Sequence, residues 1–276
     1  NTRDPYAVLV SEVMLQQTQV GRVRPYYERW LWRWPDAPAL AAEPLADVIR
    51  AWSGLGYNRR ATYLHRAAEV VVERFGGRVP ATPHDLREVP GVGQYTANAV
   101  ACFAAGAAVP VVETNIARVL ARAFLGKEAA READPAATRE AAHALLPARG
   151  ARAHNLALMD LGALVCLPRD PSCAACPVAP QCAWLSAGRA PGTLPVAPAP
   201  RFEATARYAR GRIVAALRSA DSLSARELAA LLPEPHSAQV ARYIEGLTRH
   251  GLVEPCGSRW RLAGSQGSTS MASPKL

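Results

Sequence analysis

Four cysteines in one short segment constrain the fold of this chain more than any other feature. They are separated by six, two and five residues, and they are Cys166, Cys173, Cys176 and Cys182. Four thiolates in one loop can surround a single metal centre, and the softness of sulfur restricts that centre to zinc or an iron–sulfur cluster. The spacing alone leaves structural zinc, an iron–sulfur cluster and a chance grouping open. The other two cysteines, Cys102 and Cys256, are expected to be buried or half-buried thiols.

The charge of the chain favours a polyanionic partner. Its formal net charge of +9 over 276 residues suits nucleic acid better than an acidic small molecule, although many basic proteins bind nothing anionic. No apolar run approaches the roughly 20 residues needed to cross a bilayer, and no signal peptide is evident. We therefore expect a cytoplasmic protein with no membrane partner.

The distribution of helix-forming and helix-breaking residues predicts two domains. Residues 5–185 are rich in Ala, Leu and Arg with apolar residues at helical spacing, which predicts an all-α domain over 1–185. The proline-rich segment 186–203 predicts an extended linker. Residues 204–263 predict three helices followed by two short strands, which resembles a small winged-helix (α+β) domain. The Ser- and Gly-rich residues 264–276 predict a disordered tail.

A glycine-rich turn, Pro90-Gly91-Val92-Gly93, joins two predicted helices. Glycines have no Cβ, so a phosphate can approach their backbone N–H groups closely at the positive end of the second helix. Such a contact positions a protein on nucleic acid without reading its sequence. A Gly-x-Gly turn by itself is more often simply a tight turn, and that alternative stays open.

A glutamate near the start of the chain is a candidate general acid. On one continuous helix Glu12, Gln16 and Gln19 would share a face, with apolar neighbours on other faces. A glutamate in a partly apolar pocket can hold a raised pKa and donate a proton. The alternative is a solvated polar stripe.

Together these motifs resemble the endonuclease III superfamily, the helix-hairpin-helix iron–sulfur DNA glycosylases. The cysteine spacing matches the 4Fe–4S loop of that family, and residues 90–93 match its hairpin. The segment from Asp4 to Val20 resembles the signature of the adenine DNA glycosylases, and the segment from Trp52 to Tyr57 also matches. The resemblance covers about residues 4–185. It implies a two-lobed helix-hairpin-helix glycosylase fold, a 4Fe–4S cofactor, double-stranded DNA with a mismatched or damaged base pair as partner, a monomer, and association with the nucleoid.

The resemblance also implies roles for individual residues. Glu12 would protonate the everted base, and Gln17 would fill the gap that this base leaves in the stack. Glu113 stands where the family usually has aspartate, and its carboxylate would steady the positively charged sugar; alternatively, it is only a neighbour of a helix N-cap. Tyr95 and Asn115 would assist it. The residues implied to bind DNA are Gln16, Gln17, Thr18, Gly91, Val92, Gly93 and Arg169.

The residue after Gln94 indicates the reaction subtype. Bifunctional members of the family carry lysine there, whereas this chain has Tyr95, and no lysine occurs between residues 1 and 126. A Schiff-base mechanism therefore lacks an obvious nucleophile, which predicts base removal without lyase activity.

Three hypotheses for the function remain open at this point. The first is hydrolysis of the N-glycosidic bond of mispaired adenine, opposite 8-oxoguanine or guanine, in base excision repair. The second is a thymine or uracil glycosylase acting on G·T or G·U, because Leu156 and Asn58 depart from the adenine pattern and the C-terminal region does not resemble a Nudix-like domain. The third is a non-enzymatic iron–sulfur DNA-binding regulator.

Overall fold

The computed structural model of the chain describes residues 2–192, 194, 198 and 200–265. Its α-helices in this part are α1 (Pro5–Leu15), α2 (Val20–Arg33), α3 (Ala37–Ala41), α4 (Leu45–Ala51), α5 (Arg59–Phe75), α6 (Pro83–Leu86), α7 (Gln94–Phe103), α8 (Thr114–Leu125), α9 (Pro135–Ala144), α10 (Ala151–Asp160), α11 (Ala183–Ser186), α12 (Ala206–Arg218), α13 (Ala225–Ala230) and α14 (Val240–Arg249). Its strands are β1 (Leu223–Ser224), β2 (Val253–Cys256) and β3 (Arg259–Leu262). None of the helices in these ranges is long and apolar enough to cross a membrane.

The chain forms two compact units, and each of them is built from two separate segments of the sequence. The first unit comprises Asn1–Glu12 and Pro80–Pro198, and the second comprises Val13–Val79 and Ala199–Leu276. The predicted helical architecture is confirmed, whereas the predicted partition at residues 186–203 stays a prediction. Of the predicted tail, residues 266–276 lie outside the described part of the chain.

The first unit is built around α7 and α8. Both helices turn small apolar side chains inward, and Ile116 and Leu120 of α8 pack with Ala142 of α9 in one buried cluster. The C-cap of α8 is Gly126, whose φ of 62° is readily adopted only without a Cβ. This packing fixes the direction of α8, whose first turn carries Asn115.

The second unit joins α2–α5 to the C-terminal module, which we define as residues 206–262. Ala46 and Ile49 of α4 lie in the same buried cluster as Ile213, Leu217 and Leu247 of the module. The sheet has the order β1-β3-β2, and both of its pairings are antiparallel. The two predicted strands therefore correspond to β2 and β3. The strand β1 has two residues, too few for an alternating pattern to be visible in the sequence.

The expected single helix through Gln19 is wrong. The helix α1 ends at Leu15, Gln17 has a φ of +56°, and Gln19 is the N-cap of α2. Glu12 therefore does not share a helical face with Gln16 and Gln19. The chain turns here because Arg60 binds the carbonyl groups at this helix end.

Candidate active site and cysteine loop

The first unit brings Glu12 and Tyr95 into direct contact. Glu12 lies in α1, Tyr95 lies in the first turn of α7, and the Tyr95 hydroxyl donates a hydrogen bond of 2.8 Å to Glu12 Oε2. Burial raises the pKa of Glu12, the hydrogen bond from Tyr95 opposes that rise, and the negative charge of Glu113 adds to it. Burial and the charge of Glu12 also raise the pKa of Tyr95. The Glu12 carboxyl consequently keeps its proton to a higher pH than an exposed carboxyl, as a general acid requires.

Glu113 is the N-cap of α8. Its Oε1 accepts a hydrogen bond of 2.8 Å from the Ile116 N–H, and its Oε2 accepts one of 3.0 Å from the Thr114 hydroxyl. The carboxylate is thus folded back onto its own helix, which accommodates a side chain one methylene longer than aspartate. Capping does not remove its negative charge, which acts on the pKa of Glu12.

The segment leading into Glu113 is held by Asn155, a residue that the sequence analysis missed. Asn155 is buried in α10, where its Oδ1 accepts a 2.8 Å hydrogen bond from the Val111 N–H. Its Nδ2 donates to the carbonyls of Val109 and Ala151, at 3.1 and 2.9 Å. A side-chain amide that forms hydrogen bonds with the backbone of an extended segment in this way fixes the path of that segment.

The side chain of Asn115 is held by Arg118. Arg118 Nη2 donates a hydrogen bond of 2.8 Å to Asn115 Oδ1 and another of 2.6 Å to the Gly162 carbonyl. Arg118 Nε donates to the Cys166 carbonyl at 2.8 Å. At Gly162, a Cβ would lie only 2.6 Å from Asn115 Cβ and 2.8 Å from its carbonyl oxygen. Glycine is therefore required where the turn after α10 meets α8.

The four clustered cysteines line one cavity, together with Arg122 and Trp184. Within the residues that the structure describes, no three His, Cys, Asp or Glu side chains are grouped closely enough to hold one metal ion. Cys102 is buried, as expected. Cys256 is exposed, contrary to expectation, because it ends β2 immediately before the turn at Gly257.

The backbone of the cysteine loop is organised by Arg122. This residue is only 3% exposed, and it donates hydrogen bonds to the carbonyls of Leu167 and Pro168 at 2.7 and 3.1 Å. Its Nη1 lies 3.5 Å from Cys166 Sγ, and its guanidinium lies 4.6 Å from the ring centroid of Trp184. Arg169, the predicted phosphate contact, is exposed in the same loop.

The hairpin before α7 presents backbone to solvent. Gly91 has a φ of +79°, and Gly93 is the N-cap of α7 without a capping side chain. Val92 is different, because its side chain is 7% exposed and its N–H donates to the Val89 carbonyl. Of the three predicted hairpin residues, Gly91 and Gly93 are therefore the ones exposed to a ligand.

The second unit holds the predicted DNA-contacting turn, residues 16–18, through Arg60. Arg60 is 7% exposed, and burial lowers its pKa to about 10. Its two terminal nitrogens donate hydrogen bonds of 2.8–3.2 Å to six acceptors, namely the carbonyls of Val13, Met14, Gln16, Leu55 and Gly56 and the hydroxyl of Thr18. The sequence analysis missed this role, although an arginine among the apolar positions of a predicted helix is a signal for it.

Comparison with known proteins identifies the family. A family model described as HhH-GPD superfamily base excision DNA repair protein matches residues 10–147. Adenine DNA glycosylase of Mycolicibacterium smegmatis is 42% identical over 268 residues, covering 96% of this chain and 89% of that protein. Adenine DNA glycosylase of Mycobacterium tuberculosis is 43% identical over 252 residues, covering 90% of this chain and 82% of that protein.

The same fold occurs in a solved structure of a thermostable thymine-DNA glycosylase. That structure has a TM-score of 0.63 and 33% identity, and the match covers 68% of this chain and 87% of that one. The family model spans half of the chain, and the match to the mycobacterial relatives spans most of both proteins. This chain belongs to the HhH-GPD superfamily of base excision DNA repair proteins.

Proposed function

We propose that this protein is a DNA glycosylase that hydrolyses the N-glycosidic bond of mispaired adenine, opposite 8-oxoguanine or guanine, after the base is everted. One observation carries the proposal: Glu12 combines a raised pKa with a hydrogen bond from Tyr95 and the nearby negative charge of Glu113. The names of the relatives with the broadest coverage support adenine as the base.

The carboxyl groups divide the work of the reaction between them. Glu12 gives its proton to the adenine as the bond between the base and C1′ of the sugar breaks, and the bonding electron pair leaves with the base. The carboxylate of Glu113 stabilises the positive charge left on the sugar until water adds to C1′. The added water then gives up one proton, which restores the acid form of Glu12. Tyr95 orients the Glu12 carboxyl, and Asn115, fixed by Arg118, completes the same wall of the site.

Base removal proceeds without strand cleavage. A lyase step requires an amine that forms a Schiff base with the sugar. At the corresponding position this chain has the phenol of Tyr95, whose pKa is raised and whose hydroxyl is engaged by Glu12. A neutral phenol cannot form a Schiff base, which supports a monofunctional enzyme.

Contacts to double-stranded DNA come from several exposed sites. The backbone at Gly91 and Gly93 receives a phosphate at the first turn of α7, whose positive end favours an anion. Gln17 enters the gap left by the everted base, Gln16 and Thr18 contact the DNA beside it, and Arg169 contacts a phosphate. We propose that the protein acts as a cytoplasmic, nucleoid-associated monomer.

The lining of the cysteine cavity supports a 4Fe–4S cluster as the cofactor. All four cysteines of the motif line it, and thiolates are the ligands that such clusters use. When bound, the cluster would cross-link the loop through its iron–sulfur bonds. The buried cation of Arg122 lies beside one of the thiols and would offset the negative charge of that thiolate.

The C-terminal module has three helices and an antiparallel hairpin, which supports the winged-helix assignment for residues 204–263.

A panel of duplexes tests the base specificity. The wild-type protein is incubated with duplexes carrying A opposite 8-oxoguanine, A opposite G, T opposite G and U opposite G, and abasic sites are then cleaved with alkali. We expect cleavage at the two adenine substrates, and cleavage only after the alkali treatment. Base release by Glu12→Gln at the wild-type rate would contradict the acid role.

Thymine or uracil is the second candidate base. Asn58 and Leu156 depart from the adenine pattern, and the thermostable thymine-DNA glycosylase shares 33% identity with this chain. A pyrimidine has no N7 to protonate, so its release would depend less on Glu12. Cleavage at T or U opposite G, with none at adenine, would favour this candidate.

A further inference from the structure

We infer that the C-terminal module positions the turn formed by residues 16–18 through a chain of contacts across Tyr57 and Asn58. This inference rests on the proposed function, because it assigns to the module a role in engaging the mismatched pair. All the contacts in this series, from the module to residues 16–18, lie within the second unit.

The first link joins the end of α12 to the start of α5. Arg218 Nη2 donates a hydrogen bond of 2.9 Å to Asn58 Oδ1, and Arg218 Nε donates one of 3.1 Å to the Ile49 carbonyl. Burial lowers the pKa of Arg218 to about 10, so the guanidinium is still charged at neutral pH. The module therefore holds the end of α4 and the start of α5 with one side chain.

Asn58 has an unusual role for its position. It is the N-cap of α5, and asparagine at an N-cap normally accepts a hydrogen bond from the backbone of the first turn. Here its φ and ψ are −52° and −25°, and its side chain makes no capping hydrogen bond. Its oxygen accepts from Arg218 instead. The local role of this side chain has been replaced by a contact with a residue 160 positions away.

The second link holds the neighbouring aromatic ring. Tyr57 has a φ of +45°, a conformation that non-glycine residues adopt rarely and at a cost. Two guanidinium groups lie near its ring, with Arg207 of α12 at 4.9 Å and Arg60 at 5.4 Å from the centroid. Arg207 also donates a hydrogen bond to the Tyr57 hydroxyl. These contacts help to stabilise the strained conformation.

Arg60 is the third link and connects this region to the predicted DNA-contacting turn. Its Nη2 donates to the Gly56 carbonyl at 3.2 Å and to the Thr18 hydroxyl at 3.1 Å. Its Nη1 donates to the Gln16 carbonyl at 2.8 Å. Holding the Gly56–Asn58 segment therefore also holds the Gly56 carbonyl, which accepts a hydrogen bond from Arg60. Arg60 in turn holds the turn that carries Gln17.

The shared core makes the module an integral part of this arrangement. Ala46 and Ile49 of α4 are buried with residues from α12, α13 and α14, and the Thr62 hydroxyl donates to the His250 carbonyl at 3.3 Å. Arg207 and Arg218 of the module both donate hydrogen bonds to residues at the start of α5, namely Tyr57 and Asn58. Arg212, on the same helix, is exposed.

The test compares Arg218→Met with Arg212→Met, which removes the same charge from the exposed face of α12. Hydrogen–deuterium exchange of the full chain is measured at residues 16–18 and 54–58. We expect at least a threefold faster exchange in Arg218→Met and unchanged exchange in Arg212→Met. Unchanged exchange in Arg218→Met, with the variant shown to be folded by circular dichroism, would overturn the inference whether or not the protein releases adenine.

A second measurement connects positioning with the reaction. Eversion is followed by the fluorescence of 2-aminopurine placed opposite guanine, and single-turnover base release is measured on A opposite 8-oxoguanine. We expect about a tenfold slower release and a weaker eversion signal in Arg218→Met, because a charged hydrogen bond has been lost. Affinity for fully paired DNA should stay within twofold of wild type, because the proposed phosphate contacts at Gly91, Gly93 and Arg169 are unchanged. Equal losses of eversion and of affinity for paired DNA would instead indicate a phosphate contact and would contradict the positioning role.

A double-mutant cycle identifies the contact responsible. Asn58→Ala removes the acceptor without changing the module. If the Arg218–Asn58 hydrogen bond carries the effect, the double variant is no slower than the more impaired single variant. Multiplicative effects of the two substitutions would show that the residues act independently and would overturn this link. An absence of base release from every duplex by wild-type protein would refute the proposed function, whereas the exchange measurement would still decide the positioning role.

Discussion

Two ionisable groups, Glu12 in the first unit and Arg60 in the second, differ in the number of their hydrogen-bond partners. Arg60 donates to six oxygen atoms and is fixed in one place. Glu12 has one hydrogen bond from Tyr95, and burial together with a neighbouring carboxylate disfavours its charge. A charge with many hydrogen-bond acceptors holds distant segments together, whereas a carboxyl with one hydrogen bond and a neighbouring carboxylate can exchange a proton.

Glu12→Gln should have the largest effect on activity. The amide keeps the size of the side chain but cannot donate the acid proton, so base release should fall by about 10²–10⁴-fold. The measurement is single-turnover release of adenine opposite 8-oxoguanine at saturating enzyme. Binding of the same duplex should stay within a few-fold of wild type, and a large loss of binding would show that Glu12 serves affinity rather than chemistry.

The same variant should gain stability at neutral and alkaline pH. Because the pKa of Glu12 is raised in the folded state, the folded protein binds its proton more tightly than the unfolded chain does. That contribution to stability is complete below the unfolded pKa and is lost as pH rises through the folded pKa. Glu12→Gln removes the loss, so its Tm should exceed that of wild type at pH 8 but show no such gain at pH 4. A lower Tm at pH 8 would contradict the raised pKa.

Arg60→Met should mainly reduce stability. The substitution leaves buried carbonyl groups without donors, and we expect the free energy of unfolding to fall by about 3 kcal/mol. Urea unfolding measures this change. Arg59→Met is the matched control, since Arg59 is exposed and its loss should alter stability by about 0.5 kcal/mol or less. Equal effects of the two substitutions would show that the six hydrogen bonds do not stabilise the fold.

Gly162→Ala should have an intermediate effect. The new Cβ would meet both the side chain and the backbone of Asn115, which cannot move without disturbing α8. We expect a loss of about 1–3 kcal/mol in stability, measured by urea unfolding. The control is Gly246→Ala in α14, where nothing lies within 4 Å of the new atom, and the better helix propensity of alanine should stabilise the fold slightly. If both substitutions were stabilising, the close approach at Asn115 would be refuted.

The sequence predicted groups that belong to local motifs and missed those that depend on distant contacts. Glu12, Tyr95 and Glu113 each lie in a short recognisable segment. In the structure, Tyr95 donates a hydrogen bond to Glu12, and the charge of Glu113 helps to raise the pKa of Glu12. The end of α1 could not be predicted, because its cause is an arginine more than 40 residues further along the chain. Asn58 likewise resembles a helix cap until its distant partner Arg218 is known.

Tyr95→Phe should have the smallest effect on activity, and it tests how the one hydrogen bond to Glu12 affects the pKa of that carboxyl. The Tyr95 hydroxyl stabilises the ionised form of Glu12 and so limits the rise in its pKa. Without that hydroxyl the carboxyl should become still harder to ionise, and the alkaline limb of the pH–rate profile for base release should move to higher pH. At neutral pH the rate should change by less than about tenfold, because the proton donor itself remains. A shift of the limb to lower pH would mean that Tyr95 supports the protonated form instead. In that case the hydrogen bond, as well as burial, would hold the proton on Glu12.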